Sequence, residues 1–149
     1  MQEKKAPVFI VATANDVSQL PPEMLKKGRF DELFFVDLPE QKERESIWNI
    51  QIAKYVRDPK EYDTVQLSRA AEGLTGSEIE NVFVEALYEA FDHDNEPTDL
   101  TIASVLISFV PLSKLMAEQI EALRRWAQGR IKSATLQQQT ERKLRKIAA

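Results

Sequence analysis

The chain has 149 residues, 43% of them hydrophobic and 30% charged, with a formal net charge of −4, which is ordinary for one globular domain with or without a tail. It has no cysteine, and this excludes disulfides, thiolate zinc sites and a cysteine nucleophile. No apolar run approaches the roughly 18 residues of a membrane span, and Met1-Gln2-Glu3-Lys4-Lys5 lacks the apolar stretch of a signal peptide, so a cytoplasmic or stromal location is expected.

Pro7 to Thr13 is a continuous apolar run of β-branched and aromatic residues. It predicts a strand buried on both faces, as in parallel sheets. Ala14-Asn15-Asp16 ends it in turn-forming residues. Pro21-Pro22 opens a short helix through Lys26, since proline is tolerated in the first turn, and Gly28 stops it. Leu33 to Leu38 reads as a second buried strand. Its Leu-Phe-Phe-Val-Asp string resembles a strand that ends in a magnesium-binding aspartate. Leu38, however, stands where such a site carries a second acid, so a plain strand is the better reading.

After Pro39 the pattern becomes helical. Glu40 to about Tyr55 is charged outside and apolar at Ile47, Ile50 and nearby positions. Asp63 can cap a helix through Ala71. Thr75 with Glu78, and Ser77 with Glu80, both fit the capping-box spacing at the start of the most regular helix. Ile79, Val82, Phe83, Ala86, Leu87, Ala90 and Phe91 mark its buried face. His93 to Pro97 is a loop, and His93, with no nucleophile nearby in sequence, reads as a surface residue. Thr98 or Asp99 caps a helix through Ser108. Pro111 breaks the chain, and a last helix runs from Ser113 to about Gln128, ended by Gly129. Residues 130–149 read as a frayed helix or disorder.

Two strands followed by four helices predict a mostly α chain whose strands belong to a larger parallel sheet, because two strands alone are marginal. Charge is unevenly spread. From Arg124 onward there are eight basic residues and one acid, against twelve basic and twenty-three acidic residues up to Leu123. The basic end is either a solvated tail or a patch for an anionic partner. Beyond Trp126 no aromatic interleaves it, so nucleic acid is the weaker expectation.

Glycine occurs only at 28, 73, 76 and 129. A phosphate-binding loop, G-x-x-x-x-G-K-[ST], needs two glycines five apart and then lysine, and these 149 residues contain no such spacing. Three other segments can carry chemistry. Asn15 at a strand tip can point its amide into a cleft at the carboxyl edge of a sheet, or simply make an Asx-turn with Asp16. Arg29 follows a helix-ending glycine and suits reaching a phosphate on another molecule, or a surface pairing with Asp31 or Glu32. Gly76 and Ser77 open a helix whose free N–H groups can face a nucleotide, or which is merely well capped.

Taken together, Val8 to Asn15, Leu25-x-x-Gly28-Arg29-Phe30-Asp31 and Gly73-x-x-Gly76-Ser77-Glu78-Ile79 resemble the AAA family of ATPases. The resemblance covers about residues 7 to 110, and the ending Val110-Pro111-Leu112-Ser113 brings it nearest to AAA proteins of cyanobacteria and plastids. It implies an α/β remnant, two strands of a parallel P-loop-type sheet, over residues 1–38. It further implies a helical lid bundle over 39–128 and a basic tail over 129–149.

The resemblance also implies roles. Asn15 matches the sensor-1 asparagine that orients the attacking water. Arg29 matches a finger arginine acting on ATP in the neighbouring subunit. Gly76 and Ser77 match lid residues beside the nucleotide, and Ile47 and Gln51 match positions that line the base. Many members carry a further arginine where Lys26 stands, and no residue here matches the sensor-2 arginine.

The complete protein is accordingly expected to bind ATP or ADP with magnesium. It would form a hexameric ring and couple hydrolysis to remodelling a protein substrate. This chain by itself is expected to be inactive, to hold no nucleotide tightly and to contain no metal site. Two other readings stand beside this one: a non-catalytic protein that docks on a complete AAA subunit and supplies Arg29, and an anion-binding module working through the tail.

Overall fold

Past Pro39 the side chains fall into helical register, and the helices follow one another with short connections. The computed structural model describes residues 8–15, 20–25 and 28–135. Its contacts divide the chain into two units: Val36–Ala122, and the two ends taken together, Met1–Phe35 with Leu123–Ala149. Among the described residues no single helix is long and apolar enough to cross a membrane.

In the first unit the described part of the predicted strand, Val8 to Thr13, is not in a strand at all. Phe9 and Val11 are 92% and 76% exposed. Strand composition alone does not make a strand, because an apolar run is stabilised as one only where a ladder of neighbouring strands receives it. The expected helix after Pro21 is a single 3₁₀ turn, Pro22–Leu25. The second predicted strand contracts to β1, Phe34–Phe35. It pairs in parallel not with residues 8–13 but with β2, Lys132–Ser133. Lys132 N–H donates to the Leu33 carbonyl at 3.3 Å, Ala134 N–H donates to Phe35 at 2.8 Å, and Lys132 Nζ pairs with Glu32 at 2.7 Å. A two-stranded parallel sheet therefore exists, but residues expected to be frayed helix or disorder supply its second strand. Residues 136–149, the rest of that expectation, lie outside the described residues.

The second unit is a bundle. Helix α1 is Gln41–Lys54, α2 is Thr64–Ala70, α3 is Gly76–Asp92 and α4 is Asp99–Ser108. Asp63 Oδ1 caps α2 through Gln66 N–H at 3.0 Å. Of the two capping boxes the sequence offered, Thr75 with Glu78 is the one used. A 3₁₀ turn at Pro59–Glu61, capped by Asp58, joins α1 to α2.

The core centres on Phe83 of α3. Trp48 stands edge-on to it at 6.4 Å and 83°, Tyr62 at 6.1 Å and 82°, and Tyr55 is tilted at 6.0 Å. Such aromatic pairs add about 0.5–1.5 kcal/mol beyond their area. Ile52, Leu67, Leu74, Ile79, Val82, Ala86, Ile102 and Val105 complete the cluster. Two expected core positions face outward instead: Ile50 is 63% and Phe91 74% exposed. In α1 the buried stripe runs Arg44–Trp48–Ile52, one residue away from the Ile47 register, because the large indole outweighs the aliphatics beside it. Arg44 is tolerated there because Nε donates to the Ser68 carbonyl at 2.8 Å and Nη1 to the Pro39 carbonyl at 2.6 Å.

The single last helix expected from the sequence is two. Helix α5, Leu112–Leu115, ends at Met116, where φ is −116°, and α6 follows as Ala117–Ala127. The division between the two units falls within α6.

On the bundle's surface Lys54 Nζ and Tyr55 Oη both bond the Glu80 carboxylate, the latter at 3.0 Å. The hydrogen bond from Lys54, then the one from Tyr55, hold the Glu80 carboxyl below its ordinary 4.5. A carboxyl depressed in the folded state contributes stability above its unfolded pKa and loses it as pH falls through the folded one. Wild type is therefore expected to exceed Glu80→Gln in urea resistance at neutral pH, with the gap closing below about pH 4.5. A gap that persists in acid would show that the carboxylate charge is not its source.

Candidate functional site

The candidate residues fall in both units. In the first, Asn15 is exposed in a bend at the end of segment 8–14, which forms no helix or strand. Arg29 is exposed in a turn opened by Gly28, whose φ of +91° favours glycine. Among the described residues Arg29 bonds neither Asp31 nor Glu32, and the Glu32 carboxylate is taken by Lys132 at 2.7 Å. Lys26 lies outside the described residues.

In the second unit the structure brings Gly76 and Ile47 together. A methyl group at Gly76 would meet Ile47 Cδ1 at 3.8 Å, an ordinary contact. Ser77 is exposed in the first turn of α3, its Oγ 3.2 Å from Thr75 Oγ1. Gln51 lies one turn beyond Ile47 on α1, so the two share a face. Its Oε1 is buried and finds no hydrogen-bond partner among the described residues. A buried acceptor left unpaired costs about 1–3 kcal/mol, a deficit that a donor on a bound molecule would remove. The first turn of α3 also offers free N–H groups and the positive end of its dipole.

Glu78 holds this corner in place. Its Oε2 accepts from Thr75 N–H at 2.7 Å and from Thr75 Oγ1 at 2.8 Å. Its Oε1 accepts from Leu112 N–H at 2.6 Å, tying the start of α5 to the start of α3. Gly73 makes the turn before α3 at φ +81°, and a Cβ there would lie 2.8 Å from Ser113 Oγ. Sequence spacing identified Glu78 as a capping residue. The bond to Leu112 left no local signal, because its partner is distant in the chain.

No family model matches the chain, and no solved structure matches it. Among curated proteins, the "Uncharacterized AAA domain-containing protein ycf46" of Pyropia yezoensis is 46% identical over 138 residues, 91% of this chain and 28% of that protein. The protein of the same name from Guillardia theta is 45% identical over 139 residues, 91% of this chain and 27% of that protein. The proteasome-activating nucleotidase of Saccharolobus solfataricus is 41% identical over 86 residues, 56% of this chain and 21% of that protein. The chain thus spans little more than a quarter of the length of the relatives it matches along nearly all of its own.

Proposed function

Because the chain belongs to the AAA family, we propose that it supplies the nucleotide lid, sensor and finger of an assembly that hydrolyses ATP and uses the energy to remodel a protein. The observation that carries this reading is the corner of the 36–122 unit where Ile47 meets Gly76 and Gln51 offers an unpartnered buried oxygen. An aliphatic wall, a close backbone and an acceptor suit a purine base with an exocyclic amine. Ser77 and the opening N–H groups of α3 stand beside that wall, as phosphate chemistry requires. Asn15 would orient the attacking water, and Arg29 would reach ATP held by the neighbouring subunit of a ring. The triphosphate and its magnesium need a phosphate-binding loop of the kind these 149 residues do not contain, so the chain works with one supplied by another segment or subunit.

The test is calorimetric titration of magnesium-ATP into the chain, alone and joined behind a phosphate-loop-bearing half. Binding is expected only in the joined form. There, Ile47→Glu is expected to weaken nucleotide affinity at least tenfold, about 1.4 kcal/mol, and Gln51→Leu to weaken it less. Both variants should keep the helical content of the parent. Micromolar binding by the chain alone, or an affinity indifferent to both substitutions, would overturn the reading.

A further inference from the structure

We propose that the acidic outer face of the 36–122 unit is a docking surface for the basic segment Arg142-Lys143-Leu144-Arg145-Lys146-Ile147 of a second copy of the chain. The two surfaces carry opposite charge in one sequence. Residues 36–122 hold eighteen carboxylates against seven lysines and arginines, a net of −11. Residues 123–149 hold one carboxylate against eight cations, a net of +7. Between Arg69 and Lys114 there are nine carboxylates and neither a lysine nor an arginine.

An open cleft of about 850 Å³ lies on this unit, and none of Ile47, Gln51, Gly76 and Ser77 lines it. Asp58, Glu61 and Asp99 do. Arg57 and Glu96 line it too but are already committed: Arg57 Nε and Nη2 grip the Glu96 carboxylate at 2.9 and 3.1 Å, and Nη1 donates to the Tyr55 carbonyl at 2.7 Å. Among the described residues Asp58, Glu61 and Asp99 bond no lysine or arginine side chain: Asp58 accepts from Lys60 N–H at 3.0 Å and Asp99 from Asp63 N–H at 3.1 Å. Two aliphatic side chains stand in solvent among them, Val56 at 90% and Leu100 at 83% exposure. The cleft thus asks for a ligand with several cations and interspersed apolar residues. The segment from Arg142 to Ile147 has four cations and two aliphatics in six residues. Leu144 and Ile147 would cover Val56 and Leu100, at about 25 cal/mol per Å² removed from water. Single exposed ion pairs contribute little, so the association is collective and screened by salt. It stands apart from the nucleotide reading, since it uses none of that site's residues.

The absence of cysteine gives a clean test. The full chain with Ala149→Cys carries one nitroxide, and it is mixed with full chain labelled with ¹⁵N and bearing no nitroxide. Any broadening in the ¹⁵N copy is then intermolecular. The expected result is selective broadening of amides 56–62 and 96–100, with those of 41–52 spared. The broadening should disappear when Arg142, Lys143, Arg145 and Lys146 are all changed to glutamate, and at a salt concentration on the order of 0.5 M. It should also disappear when the labelled copy carries Glu61→Lys with Leu100→Lys, both exposed and outside the core. A superimposable amide spectrum away from the cleft confirms that this variant is folded. No broadening at these amides, broadening spread evenly over all acidic helices, or broadening that survives charge reversal would each overturn the proposal. Broadening abolished by anionic vesicles but untouched by the cleft variant would assign the segment to membranes instead, and overturn it equally.

Discussion

Trp48→Ala is expected to destabilise the chain by about 3–5 kcal/mol, the range for deleting a fully buried large aromatic. The indole is 0% exposed, and it meets Phe83 edge-on at the centre of the cluster that joins α1 to α3. Its removal leaves a cavity within that buried cluster. Trp48→Phe should be far milder, about 1.5 kcal/mol or less, for two reasons. Most of the ring volume is retained, and the indole Nε1 has no hydrogen-bond partner among the described residues, so its loss relieves an unpaired donor. Urea unfolding followed by far-ultraviolet circular dichroism and extrapolated to water measures both. An alanine variant within about 1 kcal/mol of the parent would mean that Phe83 and its neighbours collapse onto the vacancy, and that the core is looser than its packing.

The largest functional effect is expected at Arg29. In the assembled, phosphate-loop-bearing protein, Arg29→Ala should lower ATP turnover by roughly 10³–10⁵, the range for an arginine supplied in trans to a phosphoryl-transfer site. Nucleotide affinity should change little, because in the proposed role the guanidinium would act on charge that develops during transfer. Arg29→Lys should recover only a small part, since a point charge lacks the planar fork. Arg29 is exposed and bonds neither nearby acid, so its loss should leave the fold intact. Mixing experiments separate the roles. A variant subunit blended with wild type should depress turnover more steeply than its mole fraction if the arginine serves a neighbour. A linear decline would place its action within its own subunit.

The helical part of the fold was legible because its signals are local. Asp63, Thr75 and Thr98 cap the helices they precede, and the three-four spacing from Ile79 to Ala90 marks the buried face of α3. Of the strands only the place of β1 within Leu33–Leu38 was legible, because a strand is defined by its partner. The run at 8–13 has strand composition yet stands exposed. The pairing of Phe34–Phe35 with Lys132–Ser133 joins residues nearly a hundred positions apart, with nothing local to announce it. In α1 the bulk of Trp48 sets the buried stripe, off the Ile47 and Ile50 register. Of the candidate site, the types and order of residues were readable, and so was the shared face of Ile47 and Gln51. The approach of Gly76 to Ile47 and the unpaired oxygen of Gln51 appear only when α1 and α3 are packed.

The turn at Gly73 has a consequence for how such sequences can drift. A side chain there would meet two obstacles, the left-handed φ and the hydroxyl of Ser113 at 2.8 Å. Relief at one does not relieve the other: shortening Ser113 to glycine opens space but leaves the backbone penalty. Position 73 should therefore stay glycine across descendants while position 113 varies only among small residues. Insertions between α4 and α5 should be rare as well, because they would carry Leu112 away from the Glu78 carboxylate. Length variation in this lineage should accumulate elsewhere, for instance in the loop around Asp94 and Asn95, whose side chains are exposed to solvent.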